Sequence, residues 1–263
     1  MRDDKRSTPA PPSTAGISGR SRRPRAGPQP NRAARAAAAS PGKDGAADIT
    51  ACATQQDACY QRLRQWVTVG RFLPGERLKI RAVAAELGVG LMPVRAALQR
   101  LAAEGALVNV PNAGVAVPLL TGPEFDDVLD MRLLLEGEAA ERGALRAQRG
   151  DLAVLRALGR RMAAALEAPD AKAYLAANED FHRHLYRAAG SPTLLALIET
   201  VWLKVGPLSN RLFDHPQAVA VLNEAHDNVL AALARRDGAA VRRGIERDLF
   251  VAGQFLRLAC RAR

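Results

Sequence analysis

Apolar residues recur at helical spacing through most of the chain, and helix-breaking residues divide these stretches into separate segments. From residue 121 onward the pattern predicts helices and no strands. The predicted helices fall near 123–147, 150–167, 169–189, 192–213, 216–235 and 237–260. Glycine, proline and capping residues separate them, among them Asp170 and Ser191 at helix starts. We therefore predict a bundle of about six helices over residues 121–263.

The segment before the bundle changes from a helical to a strand-like pattern. It predicts helices at 55–69, 80–87 and 92–104, followed by β-prone runs at 106–110 and 114–118. Two short helices joined by a few residues and followed by a hairpin are typical of a winged helix-turn-helix. The predicted fold class is therefore mainly α. A winged helix-turn-helix over residues 55–120 precedes the all-helical bundle.

Residues 1–54 lack this periodicity. Their first fifty positions are mostly proline, alanine, arginine, serine and glycine, with Ile17 the one large aliphatic residue between Met1 and Ile49. Such a segment buries too little apolar surface to offset its ordering entropy, so we predict a disordered basic tail. We expect its arginines to add nonspecific attraction to phosphates. A transit peptide also fits this composition.

The distribution of charge along the chain indicates what the first module binds. The 263 residues include 38 Lys and Arg against 27 Asp and Glu, a formal net charge of +11. The excess lies in the first 120 residues, because the remainder of the chain is nearly balanced. A basic module followed by a nearly neutral one suggests nucleic acid as the partner of the first.

The lengths of the apolar runs and the number of cysteines indicate the cellular compartment. No uninterrupted apolar run approaches the roughly 18 residues of a membrane-spanning helix, so we expect no membrane partner. The three cysteines, Cys52, Cys59 and Cys260, have no metal-site spacing. They fit a reducing cytoplasm better than a disulfide scaffold.

Two outward-facing residues of the third predicted helix are candidates for reading DNA. Its apolar positions recur at i, i+4 and i+7: Val94, Leu98 and Leu101. Arg95 and Gln99 then share the opposite face, and these side chains match the base edges of guanine and adenine. Arg81, early on the second helix, is a candidate for a phosphate or base contact. Contact with phosphate or solvent alone is the alternative for Arg95.

Four polar residues of the bundle are candidate metal ligands. Asn178 and His182 lie at i and i+4, so their side chains point the same way. His226 and Asp248 lie beside apolar residues of the last two helices. Together the four could bind a divalent ion such as Zn, Ni or Mn. A lone inward histidine is more often a hydrogen-bonded core residue, so spacing leaves both interpretations open.

Several motifs of the first module resemble the DNA-binding domain of GntR-family regulators. They are Pro-Gly-Glu-Arg-Leu at 74–78, Met-Pro-Val-Arg at 92–95, Leu-Ala-Ala-Glu-Gly at 101–105 and a wing glycine at Gly114. The resemblance covers residues 60–118 and implies DNA contact by Met92 and Gly114 as well. Gly90 departs from the family, because a Ser or Thr normally caps this helix. Leu91 stands where many members have a base-contacting arginine, so we expect lower affinity or a different half-site.

The second module resembles the FCD effector domain of the FadR-like branch of that family. The matching stretches are 132–136, 178–182, 224–226 and Asp237 with Ala240. The resemblance implies a metal site in which Asn178, His182 and His226 match the usual ligands. Asp248 stands where the family has a last histidine. Arg132 matches an arginine near the effector's carboxylate, although a plain helix pair with Glu136 is equally open.

Together these features predict a ligand-responsive transcription factor, most simply a repressor. We expect a homodimer on pseudo-palindromic double-stranded DNA, controlled by a small organic or sugar acid. A metal-dependent hydrolase is the first alternative. It is disfavoured because the sequence has no nucleophile motif, phosphate loop or obvious general base, so we expect no enzymatic activity. A basic architectural DNA-binding protein that ignores metabolites is the second alternative.

Overall fold

The computed structural model describes residues 44–111 and 114–260, and it is mainly α. Its elements in chain order are α1 Asp44–Thr68, β1 Arg77–Leu78, α2 Ile80–Leu87, α3 Leu91–Ala103, β2 Val108–Val110, β3 Gly114–Ala116, α4 Gly122–Arg146, α5 Arg149–Glu167, α6 Ala171–Ala188, α7 Pro192–Val205, a 3-10 helix Gly206–Asp214, α8 Pro216–Ala234 and α9 Gly238–Leu258. None of the helices in these ranges is long and apolar enough to cross a membrane.

Three helices and a small sheet form the first module. The antiparallel sheet has the order β1-β3-β2, with Val115 paired to Leu78 on one side and Asn109 on the other. The predicted hairpin is therefore present, with strands shorter than the predicted runs. The sequence pattern missed β1, because a two-residue strand is too short to show alternation. Only its pairing with β3 defines it.

The first helix starts earlier than expected. α1 begins at Asp44, ahead of the predicted start at Gln55, so the last part of the predicted tail is helical. The stretch between Gly45 and Gln55 is rich in alanine and contains no proline or further glycine, which allows a helix to continue toward the N-terminus. The rest of the predicted tail, residues 1–43, lies outside the described residues.

The second module is the predicted helical bundle. α4 packs along α9, α5 along α6, and α8 along α9. Close approach between helices depends on small residues, and a Cβ atom at Gly253 of α9 would lie 2.7 Å from Leu129 of α4. The predicted caps are present, because Asp170 accepts from the amide of Ala173 and Ser191 from that of Leu194.

One predicted helix of the bundle is wrong. A single helix was expected over 192–213, but α7 ends at Val205 and the chain continues as the 3-10 helix Gly206–Asp214. Pro207 has no amide hydrogen for the carbonyl of Leu203 and its ring crowds that turn, so the α-helix cannot continue unchanged. The change of direction brings Gly206 against the end of α1.

Candidate functional site

The outward face of α3 and the wing enclose a shallow recess. Arg95 and Gln99 are exposed and line it together with Gly114 and Asn109. The opposite face of α3 is buried as the spacing predicted. Gly114 has a φ of +84°, a conformation that glycine adopts without strain. Asn109 was missed by the sequence reasoning, because a polar residue in a β-prone run carries no signal of its own.

The other two DNA-contact candidates, Arg81 and Met92, do not line this recess. Arg81 is exposed on α2. Met92 and Leu91, in the first turn of α3, are 69% and 46% exposed. Gly90 begins that helix without a side-chain cap, as its identity requires. The structure thus places Arg95, Gln99 and Gly114 at one recess. DNA contact by each of the five candidates stays a prediction.

Three of the four predicted metal ligands converge inside the bundle. His182 of α6, His226 of α8 and Asp248 of α9 are all buried. The Nε2 atoms of the two histidines are 3.3 Å apart, and His182 Nε2 lies 3.4 Å from Asp248 Oδ2. One ligand atom from each residue lies within 4.8 Å of the others. Asn178, one turn before His182, is half-buried and lines the recess beside this cluster.

The cluster has the chemistry of a divalent metal site. Asp248 Oδ1 is buried and has no hydrogen-bond partner in the described part of the chain, so a cation would satisfy it. Burial by itself would raise the pKa of Asp248, but His226 and His182 outweigh that effect and hold it below its usual range. Two imidazole nitrogens and one anionic oxygen suit a first-row transition metal ion.

A chain of buried hydrogen bonds positions His182. Its Nδ1 lies 2.9 Å from the hydroxyl of Tyr186, which donates to Glu136 Oε2 over 2.9 Å. Burial raises the pKa of Tyr186 well above its usual value, so the phenol keeps its proton. The hydroxyl then accepts from His182 Nδ1, which leaves Nε2 with a free electron pair facing the cluster. Sequence reasoning missed Tyr186, although it lies at i+4 from His182.

Of the two roles that the sequence left open for Arg132, the structure shows the pair with Glu136, and contact with an effector stays a prediction. Arg132 Nε donates to Glu136 Oε1 over 2.6 Å, so the helix pair is present. Glu136 is almost completely buried, whereas Arg132 also lines the recess. Burial lowers the pKa of Arg132, but the ion pair with Glu136 more than compensates and keeps the guanidinium charged.

The recess beside the metal cluster lies between the two modules. Its cavity volume is about 60 Å³, and it is partly open to solvent. Thr68 and Val69, at the end of α1, form part of its wall. The bundle contributes the other lining residues, which include Arg132, Asn178, Glu179, His182, Trp202 and Ser209. An anion in this space would meet Arg132 and the first module at once.

Ion pairs lead from the recess to the first module. Arg183 donates to Glu179, which lines the recess, and its other Nη atom lies 3.2 Å from Glu199 Oε1. Glu199 Oε2 accepts from Arg64 of α1 over 2.9 Å. These four residues thus connect α6, α7 and α1, and the pair of Glu199 with Arg64 is more than four-fifths buried.

Comparison with known proteins matches each module to a family. The FCD domain matches residues 127–249, and the domain of bacterial regulatory proteins of the gntR family matches residues 55–117. An uncharacterized HTH-type transcriptional regulator in the TAR-I ttuE-ttuC' intergenic region of Agrobacterium vitis is 30% identical over 55% of this chain and 86% of its own. The HTH-type transcriptional repressor RspR of Escherichia coli K12 is 25% identical over 72% and 83%.

The HTH-type transcriptional regulator McbR of Escherichia coli K12 is similar in sequence and in structure. Its sequence is 29% identical over 66% of this chain and 80% of its own. The solved structure of E. coli McbR/YncC superimposes with a TM-score of 0.70, and the match covers 74% of this chain and 93% of that one. The agreement extends across both modules.

Proposed function

Because the chain belongs to the GntR family of bacterial regulatory proteins and carries the FCD domain of its FadR-like branch, we propose a specific regulatory mechanism. The protein is a transcriptional regulator of this family. In our proposal it is a cytoplasmic repressor, and a small carboxylate metabolite controls its affinity for the operator.

The recess between the modules carries this proposal. Arg132 supplies a positive charge for a carboxylate, and Thr68 and Val69 bring the DNA-binding module to the same space. A ligand that fits the recess in one relative pose of the modules, and not in another, shifts the equilibrium between those poses. Operator affinity then follows ligand concentration.

A homodimer on a pseudo-palindromic operator completes the proposal. Arg95 and Gln99 of each copy would reach base edges in successive major grooves. The neighbouring helices α4 and α9 expose large apolar side chains at Met131, Leu134 and Phe250, which supports burial against a second copy. Architectural binding without an effector is the alternative, and it would give equal affinity for unrelated duplexes.

The metal cluster supports the effector site. His182, His226 and Asp248, with Asn178 beside them, would hold a divalent ion, and the carboxylate of Asp248 favours harder ions such as Mn over Zn or Ni. A bound ion supplies positive charge for an anionic effector. Arg132, which is paired with Glu136, also supplies positive charge to the recess. Tyr186 keeps the hydrogen of His182 on Nδ1, so that Nε2 can bind the ion.

Two measurements on the full chain test this function. Gel-shift titration against the DNA upstream of its own gene should give a specific site that competitor DNA of unrelated sequence does not displace. Addition of a stabilising carboxylic acid, found by thermal shift, should weaken that complex. Equal affinity for unrelated duplexes, or a site unaffected by every stabilising acid, would contradict the proposal.

A further inference from the structure

Two large apolar side chains are exposed at the start of α3. Leu91 and Met92 occupy its first two positions, whereas the next two residues of the helix, Pro93 and Val94, are buried. Singly exposed apolar residues are normal in folded proteins, but contiguous ones indicate a contact surface. The core of the module is complete without Leu91 and Met92, so their contact lies outside it.

The apolar pair belongs to the outward face of α3. Leu91, Arg95 and Gln99 lie at i, i+4 and i+8, which places their side chains in one line along the helix. Met92 lies three residues before Arg95 and borders the same line. The first residues of a recognition helix are the ones that contact base edges in the major groove. Leu91 and Met92 therefore lie at the end of the face that would enter DNA.

The charges around the apolar pair favour DNA over a protein as its partner. Lys79 and Arg81, at the start of the neighbouring helix α2, are exposed, as is Arg95. None of these three cations forms an ion pair with another residue in the described part of the chain. The first turn of α3 contains no acidic residue that would repel a phosphate. An apolar pair among free cations matches a groove lined by phosphates.

We propose that Leu91 and Met92 select thymine in the operator through its C5-methyl group. This inference rests on the proposed binding of DNA by α3 and names the base that its first turn reads. In the major groove, thymine is the one base that presents a methyl group. Leucine has no hydrogen-bonding group, and methionine has only a weakly accepting sulfur. The methyl group is therefore the base feature that both side chains contact best.

The geometry of α3 restricts where this thymine lies. Leu91 and Arg95 are one turn apart, which is about 6 Å along the helix axis. Base pairs are stacked about 3.4 Å apart. The thymine should therefore lie within about three base pairs of the guanine that we expect Arg95 to contact. Each operator half-site would then be read by apolar contact at one end of the helix and by hydrogen bonds further along.

Replacement of thymine by uracil tests the methyl contact, because uracil keeps the same hydrogen-bonding edges and lacks only the methyl group. The operator is first selected from random duplexes with the full-length protein. Each thymine of a half-site is then replaced in turn, and affinity is measured by gel-shift titration. We expect one or two positions per half-site to lose about fourfold in affinity, the contribution of one buried methyl group.

Variants assign this uracil penalty to the apolar pair. Leu91→Ala and Met92→Ala should each reduce the penalty, and the double variant should bind the thymine and uracil operators equally. Leu73→Ala is the matched control, because this leucine of the same module is 45% exposed against 46% for Leu91. It should keep the full penalty. All of these side chains are exposed, so circular dichroism should show an unchanged fold.

The remaining outcomes separate this inference from the proposed function. A selected operator that binds equally well with uracil at every thymine would overturn the inference and leave operator binding in place. A uracil penalty that persists in the double variant, or that Leu73→Ala also removes, would overturn it as well. Failure to select any sequence would overturn the proposed operator and, with it, this inference.

Discussion

Tyr186 shows how one residue sets the chemistry of another. Its hydroxyl accepts a hydrogen bond from Nδ1 of His182 and donates one to Glu136, so the histidine presents the electron pair of Nε2 to the cluster. Outer hydrogen bonds of this kind orient metal-binding histidines and increase their basicity. The residue therefore contributes to metal affinity although it is no ligand.

Tyr186→Phe should lower the affinity for Mn²⁺ or Zn²⁺ by about 10–100-fold, because His182 loses the acceptor that fixes its tautomer. Calorimetric titration of metal into chelator-treated protein measures this. Tyr174→Phe is the matched control, since that hydroxyl on the same helix is buried and has no hydrogen-bond partner among the described residues. Equal losses in the two variants would mean that Tyr186 acts only through packing.

Arg95→Ala should weaken binding to the best operator by about 1–3 kcal/mol, the range for one bidentate base contact. The side chain is exposed, so the melting temperature should not change. Arg161→Ala, at another exposed arginine that lies in the bundle, controls for the loss of charge. Unchanged operator affinity in a gel-shift titration would remove Arg95 from the recognition surface.

At the scale of elements, the change from α7 to the 3-10 helix determines how the modules meet. Gly206 begins the 3-10 helix, and a Cβ atom there would lie 2.5 Å from the carbonyl oxygen of Val67 in α1. Asn210 of the same helix donates to the carbonyl oxygen of Gly70. A continued α-helix would not place these residues against the end of α1.

Gly206→Ala should destabilise the protein by about 1–3 kcal/mol, because the added methyl group overlaps the backbone of α1. The melting temperature should fall by about 2–4 °C per kcal/mol for a chain of this size. Gly150→Ala is the control, since no atom of residues 44–111 or 114–260 outside its own turn lies within 4 Å of its Cβ position and alanine favours helix. Equal melting temperatures for the two variants would show that the contact at Gly206 yields without cost.

At the scale of the whole molecule, the two modules share one connected interior. Leu203 of α7 is buried within the apolar core of the DNA-binding module. The pair of Arg64 with Glu199 crosses the same boundary, at less than one-fifth exposure for each side chain. A ligand in the recess would therefore act on an interface between the two modules that apolar packing and an ion pair stabilise.

The coupling energy between Arg64 and Glu199 should exceed that of an exposed pair. A double-mutant cycle of Arg64→Gln and Glu199→Gln, measured by urea unfolding, should give a coupling energy of at least about 1 kcal/mol. The same cycle on Arg257 and Asp126, each about half exposed, should give a smaller value, near the low end for surface pairs. A coupling no larger than that of the exposed pair would make the boundary pair incidental to docking.

Local periodicity was enough to predict the order of the modules, most of the helices and the outward face of α3. These features depend on contacts within one or two turns, which the spacing of apolar residues records directly. The i, i+4 relation of Asn178 and His182 is of the same kind. The apolar residues around His226 and Asp248 also made them candidate ligands, and the resemblance to known motifs supported both and added Arg132.

Tertiary structure decided the features that depend on where separate elements meet. The convergence of His182, His226 and Asp248 and the hydrogen bond from Tyr186 to Glu136 both follow from helix packing. So does β1, which exists only through its partner strand. Helix crossing distances and angles are set by side-chain volumes across the whole core, and a periodic pattern along one segment contains no record of them.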